Sequence, residues 1–405
     1  NRRADVLLIV GFFAILSYPA LALFENSDAT KPSETAEKRI LAPRPPIGQL
    51  ATSPSEYATA FKSYFEDQFE GRDELVTLNS LFRYRAFQTS SSSQVLVGKH
   101  GTLFYTGEAF VRPYDFGHDV ANYRRILPVT DRRLRGAHEF LLKRKNWADE
   151  MGAKFLFVIA PDKATIYPED MPPGITRLDR PSFADELVEY LQAKGDLEFI
   201  DLRPVLQQAK KSRRPLYYVR DSHWNYEGAR LGFDEVQRWL HDRFPSIKTL
   251  TDDDYVRAPD RLAGDLSGLL HLESHLHEYA YYHGVKSPRS SEIPFFGDPT
   301  PIPTWEHPPL SYKVDDWRLP KALIYHDSFF KPLIPSFAEL FQTTVFIRDR
   351  RVFKRTVWNF KPDVLIFECV ERNLFPLAYW TDELIPTVDP RMIAEQTDLF
   401  EPRIR

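Results

Sequence analysis

The stretch "ALIYHDSFF", residues 322–330, is a run of small and apolar residues that stops at His326, Asp327 and Ser328 before two phenylalanines. An apolar run of this length, bounded by turn residues, reads as a buried strand. Its end has two readings. Asp-Ser is common wherever a strand gives way to a loop, but a serine flanked by titratable groups at a strand's carboxyl end is also where α/β enzymes present a nucleophile.

On either side the same grammar repeats. A charged helix running from residue 131 to Glu150 precedes "AKFLFVIAP" (153–161), and a helix over 181–194 precedes "LEFIDL" (197–202). "PLYYVRDSHW" (215–224) reads as a further strand and leads into a helix over 226–241. After residue 320 come the quoted strand, a helix near 335–341, "TTVFIRD" (343–349) and "PDVLIFECVERN" (362–373). Short apolar strands alternating with helices predict an α/β fold, with a mostly parallel sheet covered by helices on both faces. Ligands of such sheets sit at the carboxyl ends of the strands. Asp221, His223 and Ser328 all follow strand candidates, so the fold would bring them to one edge. Residues 252–320 break the grammar and read as an irregular insertion.

The amino-terminal part is organised differently. "NRRAD" precedes a charge-free apolar run over residues 6–24, long enough to span a bilayer, with its arginines on the cytoplasmic side. We read residues 1–24 as a signal anchor; "ALA" at 20–22 also offers a peptidase site, which would make the run a cleaved signal peptide. Residues 25–54, rich in Lys, Glu, Thr, Ser and Pro, read as a linker, and 55–405 as the folded domain. Within it, Tyr57, Phe61, Tyr64, Phe65 and Phe69 recur at helical spacing and predict a core-facing stripe. "GKHGTLFYTGE" (98–108) reads as a hairpin.

Composition narrows the function. The net charge of -4, from 53 basic and 57 acidic residues, provides no field for nucleic acid. The single cysteine, Cys369, lies inside an apolar strand candidate, where a buried and inert thiol is expected.

"VRDSHWN" sets Asp221 two residues before His223, the spacing at which side chains of an extended segment leave on one side. A carboxylate there can orient the imidazole and stabilise the imidazolium it forms. With Ser328 as nucleophile, the three make a machine for acyl transfer, the oxyanion being held by the Ser328 backbone N–H and a neighbouring donor. An Asp beside a His is more often the pattern of a satisfied structural pair.

Several segments, taken in order, resemble the AlgJ and AlgX family of alginate O-acetyltransferases, whose catalytic domain is SGNH-hydrolase-like. "GKHGTLFY" (98–105) resembles the family's Gly-x-x-Gly-Trp-Leu-Phe, with Thr102 in place of Trp. "VIAPDKATIYPEDMP" (158–172), "YYVRDSHWNYEGA" (217–229) with its Asp-x-His-Trp-Asn, "AGDLSGLL" (263–270) and "PDVLIFECVERNL" (362–374) resemble its later segments. The resemblance implies a flavodoxin-like, SGNH-hydrolase-like fold and an O-acetyltransferase that modifies an exported polysaccharide, alginate or another exopolysaccharide, through an acetyl-serine. It places the nucleophile on Ser328, the base on His223 and its aligning acid on Asp221. Trp224, Asn225, Lys163, His326 and Arg372 are candidates for the substrate side, and His326 stands where the family often carries a small residue. No organic cofactor and no metal are required. The implied partners are the polysaccharide and a membrane-bound O-acyltransferase that supplies acetyl, and the implied location is the periplasm, held at the inner membrane by the N-terminal helix or secreted if that helix is cleaved.

Two other functions fit the same residues: a carbohydrate acetylesterase that uses water as acceptor, and a noncatalytic polysaccharide-binding assembly protein. A zinc site built from His271, His275, His277, His283, Glu273 and Glu278 is the competing chemistry, but no HExxH accompanies them, and a wet polar face beside a saccharide groove explains the same residues. Trp224 is divided between core packing and support of the site. For Lys163 the alternative is an exposed surface charge.

Overall fold

The structure, a computed structural model, describes residues 42–68, 72–107, 119–211, 214–295 and 308–379, together with Val6, Ile9, Val10, Phe12 and Phe13. The expected membrane helix therefore lies almost entirely outside the described residues, as do most of the expected linker and Phe69. No described helix is long and apolar enough to cross a membrane.

The chain forms two compact units. The first comprises residues 1–104, 219–221 and 261–278. It contains the helices Pro54–Gln68 and Arg72–Phe82, strand β1 (Val95–Val97) and the start of β2 (Leu103–Tyr105), which pairs with β1. The aromatic stripe of the first helix is not core: Phe61 is exposed, and Tyr57, Tyr64 and Phe65 are only partly covered. Tyr57 and Phe61 instead stack on one another along the helix, with ring centroids 6.0 Å apart.

The second unit is built on strands β3 (Lys154–Ala160) and β4 (Phe199–Asp201), most of the pair β5 (Tyr255–Leu262) and β6 (Glu278–Val285), then β7 (Ser291–Glu292), β8 (Leu310–Lys313), β9 (Lys321–Tyr325), β10 (Thr343–Ile347) and β11 (Val364–Val370). Seven of them form one sheet in the order β4-β3-β11-β9-β10-β8-β7. The first five run parallel to one another, and β8 pairs antiparallel with both β10 and β7. The segment expected to be an irregular insertion thus extends the sheet, through strands too short and proline-flanked to show alternation.

Side-chain alternation along the central strands explains the two cores. Leu156, Val158 and Ala160 join Ile366, Ile324 and the helix Tyr226–Arg243 on one face. Phe155, Phe157 and Ile159 join Leu365, Phe367 and the helices Asp131–Glu150 and Phe183–Lys194 on the other. Helices on both faces and a sheet that is mostly parallel agree with the sequence reading; the antiparallel edge makes it mixed.

The strand expected over 215–224 is absent from this sheet. Tyr217 and Trp224 form a single isolated antiparallel bridge, and the Asn225 N–H donates to Leu216 O at 2.9 Å, so the segment turns back on itself. Further along, Val219 O accepts from Leu103 N at 2.9 Å and the Val219 and Arg220 N–H groups donate to Glu278, so the backbone is satisfied without joining the sheet.

Candidate active site

Strand β9 ends at Tyr325, and a tight 3-10 turn starts at Ser328. Between them Asp327 fixes the turn. Its Oδ1 accepts from Phe329 N at 2.9 Å, and its Oδ2 accepts from Val370 N at 2.8 Å and Asn373 Nδ2 at 3.2 Å. The Asp327 N–H in turn donates to Glu368 Oε2 at 3.0 Å. Two neighbouring parallel strands, β9 and β11, are in this way clamped together where the serine emerges.

His223 reaches the serine from the segment before the helix Tyr226–Arg243. Its Nε2 lies 2.7 Å from Ser328 Oγ, and its Nδ1 lies 3.3 Å from Ser222 Oγ. The imidazole packs on Phe329 with ring centroids 4.9 Å apart. Trp224 is buried beneath it, donating its indole N–H to Phe329 O at 2.8 Å. Asn225 caps the helix: Oδ1 accepts from Glu227 N and Gly228 N, and Nδ2 donates to Pro215 O at 2.8 Å. Both residues thus hold the histidine segment in place.

Asp221 belongs to the first unit. There its Oδ2 accepts from Asp265 N at 2.8 Å, and the preceding Val219 and Arg220 donate their N–H groups to Glu278, each at 2.7 Å. Glu278, counted among possible metal ligands in the sequence, thus serves as a backbone clamp. Gly264 approaches the same segment so closely that an added Cβ would meet Arg220 O at 2.1 Å. The motifs around 221 and 265, read separately in the sequence, are one local structure.

At the carboxyl ends of β3 and β11 lies a buried set of charges. Arg372 Nη1 donates to Asp162 Oδ1 at 2.9 Å, while Glu371 accepts from Asn122 Nδ2 at 3.1 Å and from Asp162 N at 3.0 Å. The Arg372 guanidinium lies 4.9 Å from the centre of the Phe329 ring, which joins this set to the serine turn. Lys163 is buried here, so its reading as a surface charge is overturned. His326 is also buried, with Nδ1 2.7 Å from Asp327 O and its ring against Phe330.

Burial sets the electrostatics. It raises Glu368 well above the usual carboxylate range, and the Asp327 charge adds to the effect. It raises Asp162 likewise and pushes Asp119 up to about 7, against the pull of Arg372. Cys369 is buried and its thiol is pushed up by burial, as an inert core cysteine should be.

Sequence reasoning named Ser328 and His223 but passed over Asp327, Glu368, Asp119 and Asp162. Asp162, Asp327 and Glu368 stood inside the quoted segments. The signal was a carboxylate in or next to an apolar strand, which is rare unless it is paired.

Several chains of known structure are similar to this one at low identity. PatB1 of Bacillus cereus is 18% identical with a TM-score of 0.46, covering 60% of this chain and 91% of its own. The O-acetyltransferase domain of Pseudomonas putida AlgJ is 15% identical with a TM-score of 0.44, covering 75% and 99%. AlgX of Pseudomonas aeruginosa is 14% identical with a TM-score of 0.40, covering 70% and 65%. No curated protein matches the chain in sequence. Residues 95–292, the stretch that carries Asp221 and His223, match the family model described as the SGNH hydrolase-like domain of acetyltransferase AlgX, so the resemblance announced by the motifs holds there.

Proposed function

We propose that this protein is an O-acetyltransferase that moves an acetyl group onto a hydroxyl of an exported polysaccharide through an acetyl-serine on Ser328. The observation that carries the reading is the 2.7 Å contact between His223 Nε2 and Ser328 Oγ at the end of a parallel strand. Together with the match to an acetyltransferase family domain, it supports acyl transfer.

In the first half-reaction His223 takes the Ser328 proton as Oγ attacks the acetyl carbonyl of the donor ester. Collapse of the tetrahedral intermediate expels the donor alkoxide, which takes that proton from His223. In the second half-reaction His223 deprotonates an acceptor hydroxyl, whose oxygen attacks the acetyl-serine, and the proton returns to Ser328. Asp221 aligns the imidazole, and the Ser328 N–H is one oxyanion donor. Neither half requires a metal or organic cofactor. The donor is an acetyl group delivered by a membrane-bound O-acyltransferase, and the apolar N-terminal run keeps the enzyme beside it, outside the cytoplasm at the inner membrane.

The test pairs an artificial acetyl ester with polysaccharide oligomers and follows ester cleavage and acetyl mass gained by the oligomers. Ser328→Ala and His223→Ala are expected to lose both by at least about 10³-fold. Undiminished turnover in Ser328→Ala overturns the assignment. Cleavage without transfer to any oligomer assigns the site to an esterase.

A further inference from the structure

Strand β6 carries "YAYYHG" over residues 279–284, and three of its tyrosines face solvent. Tyr279 is 80% exposed, Tyr281 55% and Tyr282 38%. A row of exposed tyrosines along one strand offers ring faces on which a ligand can stack. Strand alternation sets Tyr279 and Tyr281 on one face about 7 Å apart.

The rings are held in position. The Arg257 guanidinium covers one side of Tyr281 at 4.6 Å from the ring centre, and Glu227 binds that arginine at 2.5 Å. Tyr282 lies over Gly284, where an added Cβ would come within 2.8 Å of the ring, and meets the edge of Tyr226 at a centroid distance of 5.0 Å. His283 stacks on Tyr226 at 6.1 Å, and its Nε2, 3.5 Å from Glu227, has no hydrogen-bond partner among the described residues.

Tyr226, whose ring meets Tyr282 and His283, brings this strand near the candidate active site. It follows His223 by three residues, so the two Cα atoms are within about 11 Å. We propose that Tyr279 and Tyr281 form a platform on which pyranose rings of the acceptor glycan stack while one of its hydroxyls is presented to the His223–Ser328 pair. The inference rests on the glycan-acetylation reading above. Pyranose rings have C–H faces that suit aromatic faces, and their hydroxyls suit the carboxylates of Glu227 and Asp260. Arg257 is neutralised by Glu227 and Asp260 adds a negative charge nearby, so contact is made through ring faces and hydroxyls and depends little on salt.

The test measures binding of cellohexaose and of a mannuronate hexamer to the full protein by calorimetry, at low and high salt. Wild type and Ser328→Ala are expected to bind at least one probe alike. The double variant Tyr279→Ala, Tyr281→Ala should bind it about tenfold or more weakly, with an unchanged unfolding midpoint. Trp317→Ala, which removes an aromatic 83% exposed elsewhere, should bind as wild type. Equal binding by the double variant, or by wild type no binding of either probe, overturns the platform, as does affinity that collapses at high salt. Ester turnover in wild type and Ser328→Ala, measured in parallel, judges the acyl-transfer reading separately.

Discussion

Around Ser328 a few side chains do the positioning. The Trp224 indole N–H donates to the Phe329 carbonyl at 2.8 Å, and that carbonyl belongs to the residue after the nucleophile. Trp224→Phe keeps most of the buried ring but leaves the carbonyl without that donor, at an expected cost of about 1–3 kcal/mol in chemical denaturation. Acyl turnover should fall with it, because the turn that aims Ser328 loses a tether. Unchanged stability and turnover would show that the indole acts by volume alone. The serine and histidine were legible in the sequence because each follows an apolar run in a polar cluster. Asp327 was not, because an Asp beside a Ser is the ordinary turn pair and its partners Val370 and Asn373 lie 43 and 46 residues away.

Among the elements, those with uninterrupted periodicity were read correctly. Strands β3, β9, β10 and β11, and the helices Asp131–Glu150, Phe183–Lys194 and Tyr226–Arg243, fall within a few residues of their expected places. The failure over 215–224 has a local cause: its β-favouring residues are spent on a tight return that delivers His223. Gly228 shows how tight the return is. A Cβ there would lie 2.3 Å from Leu216 O, on the backbone that the helix start must approach. Alanine in a helix is worth up to about 1 kcal/mol over glycine, but Gly228→Ala should destabilise by about 1–3 kcal/mol, since backbone cannot give way as a side chain does. Thermal unfolding measures the sign. A stabilised variant would mean that the return relaxes freely, and the positioning assigned to Asn225 would then lose its support.

At the scale of the whole chain, the net charge of -4 says little about where the charges are. The larger unit buries Asp119, Asp162, Glu368 and Glu371 with Lys163, Arg203 and Arg372, all at or near the strand ends that carry the serine. Such an arrangement ties global stability to pH. Asp119, buried and with no hydrogen-bond partner for Oδ1 among the described residues, is raised from 3.8 to about 7. Between those values the native chain keeps a proton that the unfolded chain has lost, so this carboxyl makes stability fall as pH rises from about 4 to about 7, with no further loss above. Asp119→Asn cannot titrate and removes that loss. The stability of the variant relative to wild type should therefore be higher at pH 8 than at pH 5, whatever the packing cost of the substitution, which is common to both. Guanidinium unfolding of the two proteins at the two pH values gives the comparison directly. A difference that is the same at both would show that Asp119 ionises in the native chain as freely as in the unfolded one, and that the charges at the strand ends neutralise each other without holding a proton.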